Sequence, residues 1–299
     1  MDILLIIMLK IAVASGKGGT GKTFIATNIF NTLIHNNQAA MLVDCDGEAP
    51  NAIAFFDTTE KDREEVTQLV PVIDTEQCTF CGKCHEYCNY NAIFLLPPAK
   101  IINVIEDLCH GCGACSVACN YGAITEKPVS LGQVIQYRTK DDHILIEART
   151  KIGVLSPVPV IKAAIKVAGN NCEIMILDAP PGTSCPFIQT VAKADYVILV
   201  TEPTPFGLSD LKQSVETLKI MNKPFGIILN RSDIGDNTVK EYTLNEDIPL
   251  LLEIPFKKDI AVLYSRGKLV SEKDPRFEKH ILAVFETIFA QNGNSSYQW

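Results

Sequence analysis

Two sets of residues have types and spacing that could do chemistry. The first is Gly16-Lys17-Gly18-Gly19-Thr20-Gly21-Lys22-Thr23, which fits the phosphate-binding pattern G-x-x-x-x-G-K-[ST]. Such a loop turns successive backbone N–H groups inward onto phosphate oxygens, and glycine permits the dihedrals this needs. Lys22 then supplies a point charge to the β- and γ-phosphates, and the Thr23 hydroxyl is placed to ligate Mg²⁺. A helix starting behind them adds its partial positive charge.

The second set is made of thiols. Eight of the eleven cysteines fall between Cys78 and Cys119, and the run C-x₂-C-x₂-C-x₃-C occurs twice. Thiolates are soft ligands that suit iron–sulfur clusters and zinc. Zinc sites usually come as two separated C-x₂-C pairs. Three cysteines at i, i+3 and i+6 wrap one cuboidal cluster better than one tetrahedral ion. Cys78, Cys81, Cys84, Cys88, Asn89, Tyr90, Ala92 and Ile93 recur 31 residues later as Cys109, Cys112, Cys115, Cys119, Asn120, Tyr121, Ala123 and Ile124, so the unit is duplicated. Each copy follows a short apolar run, Val70–Ile73 or Ile101–Ile105.

Elements must position both sets. Residues 10–14 read as a buried strand and the glycine-rich loop follows. A helix starts near Thr23 with Ile25, Ile29, Phe30, Leu33 and Ile34 on one face. Met41–Val43 is a second strand ending in acidic residues, and this order opens a parallel α/β sheet. After the cysteine region, Gln133–Tyr137 and His143–Ile146 read as a hairpin. A helix is expected around Val158–Val167, strands at Ile174–Leu177, Tyr196–Val200 and Phe225–Leu229, and a helix from about Ser209 to Met221. A last helix, about Pro275 to Ala290, carries the apolar stripe Phe277, Ile281, Leu282, Phe285, Ile288 and Phe289. Its flanks are not basic, so packing against the core is favoured over a membrane anchor.

Composition sets the bounds. The 299 residues are 47% hydrophobic and 21% charged, enough for a sizeable core. A net charge of −8 argues against a nucleic-acid surface. The apolar start, Ile3 to Leu9, is too short for a membrane span and lacks a signal-peptide pattern. A cytoplasmic, metal-binding use of the cysteines is therefore expected. Residues 1–7 read as a start-site extension ahead of Met8.

Lys17 adds a second lysine to the phosphate loop. In this the sequence resembles the deviant Walker A family of ATPases, which includes the septum-site protein MinD, the partition ATPases and the nitrogenase iron protein. The resemblance implies a homodimer through the nucleotide face, with Lys17 reaching the partner's ATP. Asp44-Cys-Asp46 resembles switch I, which implies that Asp46 orients the attacking water and Asp44 helps organise Mg²⁺. Asp178-Ala-Pro-Pro-Gly182 resembles the Walker B and switch II segment, which implies Asp178 near Mg²⁺. By the same resemblance Asn230 holds the adenine and Pro255 lies in the loop closing over it. Lys17, Lys22 and Asp46 would then be the catalytic residues.

The cysteine runs resemble those of bacterial two-cluster ferredoxins, in which the fourth cysteine ligates the other cluster. That resemblance assigns Cys78, Cys81, Cys84 and Cys119 to one [4Fe–4S] cluster and Cys109, Cys112, Cys115 and Cys88 to the other. Asn89 and Asn120 stand where proline usually follows the fourth cysteine. Cys45 and Cys172 read as core residues. Cys185 lies just past switch II, where the nitrogenase iron protein ligates a bridging cluster, but no second cysteine accompanies it.

The expected architecture is an α/β P-loop NTPase with a mostly parallel sheet and helices on both faces, formed by residues 1–69 and 131–299. An α+β ferredoxin domain, residues 70–130, is expected as an insertion between the two switches. Three functions fit: ATP-coupled electron transfer to an unidentified redox or client protein, an iron–sulfur cluster scaffold or carrier, or a spatial or regulatory switch of the MinD kind.

Overall fold

In this computed structural model, residues 8–169 and 172–291 are described. The expected start-site extension, residues 1–7, lies outside the described residues. The apolar run after Met8 forms β1 (Leu9–Ala14), and the glycine-rich loop leads into α1 (Lys22–His35) and β2 (Ala40–Asp44). A long strand β3 (Thr58–Ile73) enters the cysteine region, which holds α2 (Lys83–Glu86), β4 (Ile93–Leu96), β5 (Ile101–Val104) and α3 (Ala114–Ala118). Strand β6 (Ile124–Thr139) leads back to β7 (Ile144–Thr150) and α4 (Val158–Ala168). The α/β alternation resumes with β8 (Ile174–Asp178), α5 (Cys185–Val191), β9 (Tyr196–Thr201), α6 (Pro205–Ile220) and β10 (Phe225–Asn230). It closes with α7 (Thr238–Asn245), β11 (Leu250–Ile254), α8 (Lys258–Ser265) and α9 (Pro275–Gln291).

Among the described residues nine strands form one sheet, ordered β11-β10-β9-β1-β8-β2-β7-β6-β3. The pairs from β11 to β7 are parallel; β6 is antiparallel to both β7 and β3. Residues of the central strands alternate between two cores, as a sheet covered on both faces requires. Ala12, Met41 and Val43 face one core with Val160, Phe187 and Leu211, while Ile11, Val13 and Leu42 face the other with Phe30 and Phe285. Truncating Phe285, which is fully buried, would cost about 3–5 kcal/mol.

Helix α1 was expected to bury one face, but Lys22 and the residues from Phe24 to Leu33 are all buried. The sheet covers one side and α9 the other. Asn31 Nδ2 donates to Ser271 Oγ at 2.9 Å, and the Ser271 N–H donates to Asn28 Oδ1 at 2.9 Å. The stripe on α9 is core, as expected, with Phe277, Ile281, Phe285, Ile288 and Phe289 all buried. Helix α6 starts at Pro205, earlier than its apolar period implies. Thr204 caps it by accepting the Gly207 N–H at 2.9 Å, and proline at the first helical position is pre-set for a helix. No helix of the described residues is long and apolar enough to cross a membrane.

The boundaries expected at 69/70 and 130/131 fall inside strands, not linkers. Strands β3 and β6 pair from Thr58↔Thr139 to Ile73↔Ile124 with register shifts at Glu60/Asp62 and Val66/Thr67, so one ribbon joins the cysteine region to the large sheet. The register breaks where Val66↔Gly132 gives way to Thr67↔Ser130, leaving Leu131 as the extra residue of a bulge. Leu131 is buried in the core and its C=O accepts the Lys151 N–H at 2.9 Å.

Candidate functional site

The phosphate loop joins the carboxyl end of β1 to α1, where parallel α/β sheets bind ligands. Gly21 has φ 104°, a left-handed conformation, and a Cβ there would stand 2.6 Å from Asn230 Nδ2. Asn230 Nδ2 itself donates to the Thr20 C=O at 2.8 Å, so this asparagine braces the loop from the end of β10. Gly18, Gly19, Gly21, Lys22, Thr23 and Phe24 line a cavity of about 460 Å³. Asp46, Asn230, Arg231 and Pro255 line it too, with Lys257, Ile260 and Tyr264 closing the far side. Asn230 and Pro255, which the resemblance places at the adenine, thus line the same cavity as the phosphate loop.

The carboxylates gather under Lys22. Asp44 and Asp178 are partners in the parallel register of β2 and β8, and both are buried. Asp44 accepts three backbone N–H bonds, from Asp46 at 3.0 Å and from Asn51 and Ala52 at 2.9 Å. It therefore shapes the loop that carries Asp46. Burial nonetheless holds its carboxyl well above the usual range, with the neighbouring Asp178 charge adding to the rise. Asp178 is pushed up to about 7, first by burial. The Thr23 hydroxyl and Lys22 offset part of that rise. The hydroxyl's effect reflects proximity: neither Asp178 oxygen has a partner of hydrogen-bond geometry among the described residues. Burial also raises Asp46, against the pull of Lys22. It lowers Lys22, against Asp178, Asp46 and Asp44. Burial thus disfavours the charged form of all four groups, the signature of a functional site.

Lys17 is turned away from this group. Its Nζ pairs with Glu202 Oε1 at 2.6 Å.

The cysteines are drawn into two quartets. Cys78, Cys81, Cys84 and Cys119 line one small pocket, with Ile73, Ile102 and Ile124. Cys88, Cys109, Cys112 and Cys115 line a second, with Leu69, Pro71 and Glu126. Each quartet takes its fourth thiol from the other repeat. Backbone N–H groups donate to sulfur: Phe80 to Cys78 Sγ at 3.4 Å, Ala92 to Cys88 Sγ at 3.3 Å, and Gly111 to Cys109 Sγ at 3.4 Å. The duplication extends to the backbone. Phe80, Gly82 and Asn91 have positive φ, and so do their repeat partners Gly111, Gly113 and Gly122. The thiols surround space and do not converge on a point: among the described residues no three His, Cys, Asp or Glu side chains are grouped to hold a single metal ion. Cys45 and Cys172 are buried, as expected of core thiols, and burial pushes Cys172 up to about 11. Cys185 is exposed at the start of α5.

Sequence reasoning missed Glu202, Arg231, Phe24 and Tyr264. Glu202 and Arg231 directly follow β9 and β10, and position past a strand's carboxyl end was the available signal. Tyr264 sits on α8, and its helical spacing with Ile260 and Leu263, all three packed partly buried against the core, was the available signal.

A family model for the CobQ/CobB/MinD/ParA nucleotide binding domain matches residues 11–270. This chain belongs to that family of P-loop ATPases. An uncharacterised protein of Methanocaldococcus jannaschii is 34% identical over 267 residues, covering 87% of this chain and 91% of its own. An iron-sulfur cluster carrier protein of Pyrococcus horikoshii is 24% identical, covering 82% and 73%. Among solved structures, the cell division ATPase MinD of Pyrococcus furiosus superposes with a TM-score of 0.58 at 19% identity, covering 95% of this chain and 99% of that one. The fold is thus that of the MinD-like α/β ATPases.

Proposed function

We propose that this chain is an ATP-switched iron–sulfur protein in which the nucleotide site governs electron transfer through two [4Fe–4S] clusters. Residues 1–69 and 131–299 form the ATPase domain and residues 70–130 an inserted ferredoxin module. The observation that carries this reading is a physical connection. The Thr150 N–H donates to the Gly47 C=O at 2.8 Å, next to Asp46. Thr150 pairs with Gly132 on β6. From Gly132, β6 passes the Leu131 bulge and lines both cysteine pockets, the first through Ile124 and the second through Glu126. A loop that changes with γ-phosphate therefore leans on the strand that walls the thiols.

The donor set supports the cofactor. Four soft thiols around each pocket, with backbone N–H groups aimed at sulfur, suit a thiolate-held cluster. Such a cluster, when bound, supplies a one-electron carrier. The chain's own residues supply ligands, apolar walls and N–H donors.

At the nucleotide, Lys22 would neutralise phosphate charge, Thr23, Asp44 and Asp178 would hold Mg²⁺, and Asp46 would orient water. These roles match a reaction dominated by positioning and charge neutralisation. Lys17 completes the site of a second copy. Exposed apolar side chains follow the carboxyl ends of four strands: Ile152 after β7 at 99% exposure, Phe206 after β9, Ile234 after β10 and Phe256 after β11. They support a homodimer closing on the nucleotide face.

The similarity to an iron-sulfur cluster carrier protein favours a second reading, delivery of a cluster to a client protein. Anaerobic incubation with an apo-ferredoxin separates the two. Electron transfer predicts retained iron and an ATP-dependent rate of acceptor reduction that Lys22→Ala loses. Loss of iron to the apo-protein, or an equal rate in the Lys22 variant, would overturn the first reading.

A further inference from the structure

Glu202 stands between two cations from different loops, Lys17 of the phosphate loop and Arg231 after β10. Its Oε1 accepts from Lys17 Nζ at 2.6 Å, and its Oε2 from Arg231 NH1 at 2.8 Å. The Glu202 side chain is only 14% exposed; its bond to Lys17 is partly buried, while Arg231 reaches it from an exposed position. Its backbone is fixed: the Thr204 N–H donates to the Glu202 C=O at 2.8 Å, and a Cβ on Gly207 would lie 2.4 Å from that oxygen. Lys17 is thereby held within its own chain, beside Gly207 and Asp210. Arg231 has φ 53°, lines the nucleotide cavity, and donates its N–H to Asn230 Oδ1 at 3.0 Å. One carboxylate thus ties the phosphate loop to the loop that follows β10.

We propose that Glu202 is a latch that holds Lys17 in cis, so that dimer formation must first break this ion pair. The inference rests on the reading that Lys17 serves a partner's nucleotide. Two charged donors compete for one carboxylate, which keeps the latch weak enough to open. A triphosphate in the cavity draws on Arg231, and a partner's triphosphate draws on Lys17. Glu202 is therefore a positioning residue: it acts on the reaction through Lys17.

The test is the ATPase rate per chain against protein concentration, at saturating Mg–ATP, with the full chain handled anaerobically. Glu202→Gln keeps the shape and removes the charge. It is expected to lower the concentration of half-maximal activity about five-fold, the scale of one partly buried ion pair, with the plateau rate unchanged. Arg231→Gln leaves Glu202 to Lys17 alone and is expected to shift the midpoint the opposite way, about two-fold. Sedimentation with ATP should show the Glu202 shift, and Lys17→Ala should erase it. An unmoved midpoint, a shift that persists with Lys17→Ala, or a change confined to ATP affinity would overturn the latch. A wild-type rate that is independent of concentration would overturn the dimer reading itself, and the latch with it.

Discussion

Asp178→Asn is expected to stabilise the nucleotide-free chain while abolishing ATP turnover. Asp178 is fully buried, neither oxygen has a partner of hydrogen-bond geometry among the described residues, and its carboxyl is raised from 3.8 to about 7, first by burial and with Thr23 and Lys22 offsetting part of the rise. A folded-state value above the unfolded one gives stability that is present below the unfolded value and lost as pH rises through the folded value. The wild type therefore weakens between about pH 4 and pH 7. At 1.36 kcal/mol per pH unit, the full loss is about 4 kcal/mol at pH 8 and less than half of that at pH 5. Asparagine carries no charge and avoids the loss, although its unpaired amide returns about 1–2 kcal/mol. The net gain is then about 2–3 kcal/mol at pH 8 and near zero at pH 5. Denaturant unfolding in Mg²⁺- and nucleotide-free buffer at the two pH values measures it. A variant no more stable than wild type at pH 8, or a gain equal at both values, would refute the reasoning.

Three further outcomes follow from the geometry. Gly132→Ala puts a Cβ 2.3 Å from the Arg149 C=O in a positive-φ backbone, and should cost about 2 kcal/mol or more; hydrogen exchange should rise along β6 on both sides of Leu131. Cys84→Ser removes one thiol of the first quartet and should roughly halve the iron bound per chain, whereas Cys185→Ser should leave iron unchanged. Asn230→Ala removes the brace on Thr20 and should weaken ATP and GTP binding alike, about five- to ten-fold; a loss restricted to ATP would return Asn230 to a purely adenine-reading role.

Much of this was legible in the residues because local chemistry dictated it. The phosphate loop needs glycine and lysine at fixed spacing, and Gly19 and Gly21 do take left-handed φ. The 31-residue repeat announced two equivalent units, and their positive-φ positions match one for one. Strands β1, β2, β8, β9 and β10 read clearly because strands buried on both faces are continuous apolar runs. The first half of β3 did not, since Thr58–Glu65 is polar and lies on the sheet edge, where only β6 supports it. Helix α7 was equally silent, burying only Val239 and Thr243, whereas α8 carries a short, partly buried stripe of Ile260, Leu263 and Tyr264. The Glu202 contact with Lys17 spans 185 residues, and no local pattern encodes it.

The central claim is that nucleotide state reaches the two thiol quartets. Electron paramagnetic resonance of the reduced, anaerobically purified chain, with and without Mg–ATP, tests it most directly. About eight irons per chain are expected, with a spectrum that shifts on adding Mg–ATP in the wild type and stays fixed in Lys22→Ala. A full iron complement with a spectrum indifferent to Mg–ATP would contradict the coupling, and a chain purified without iron would contradict the cluster assignment itself.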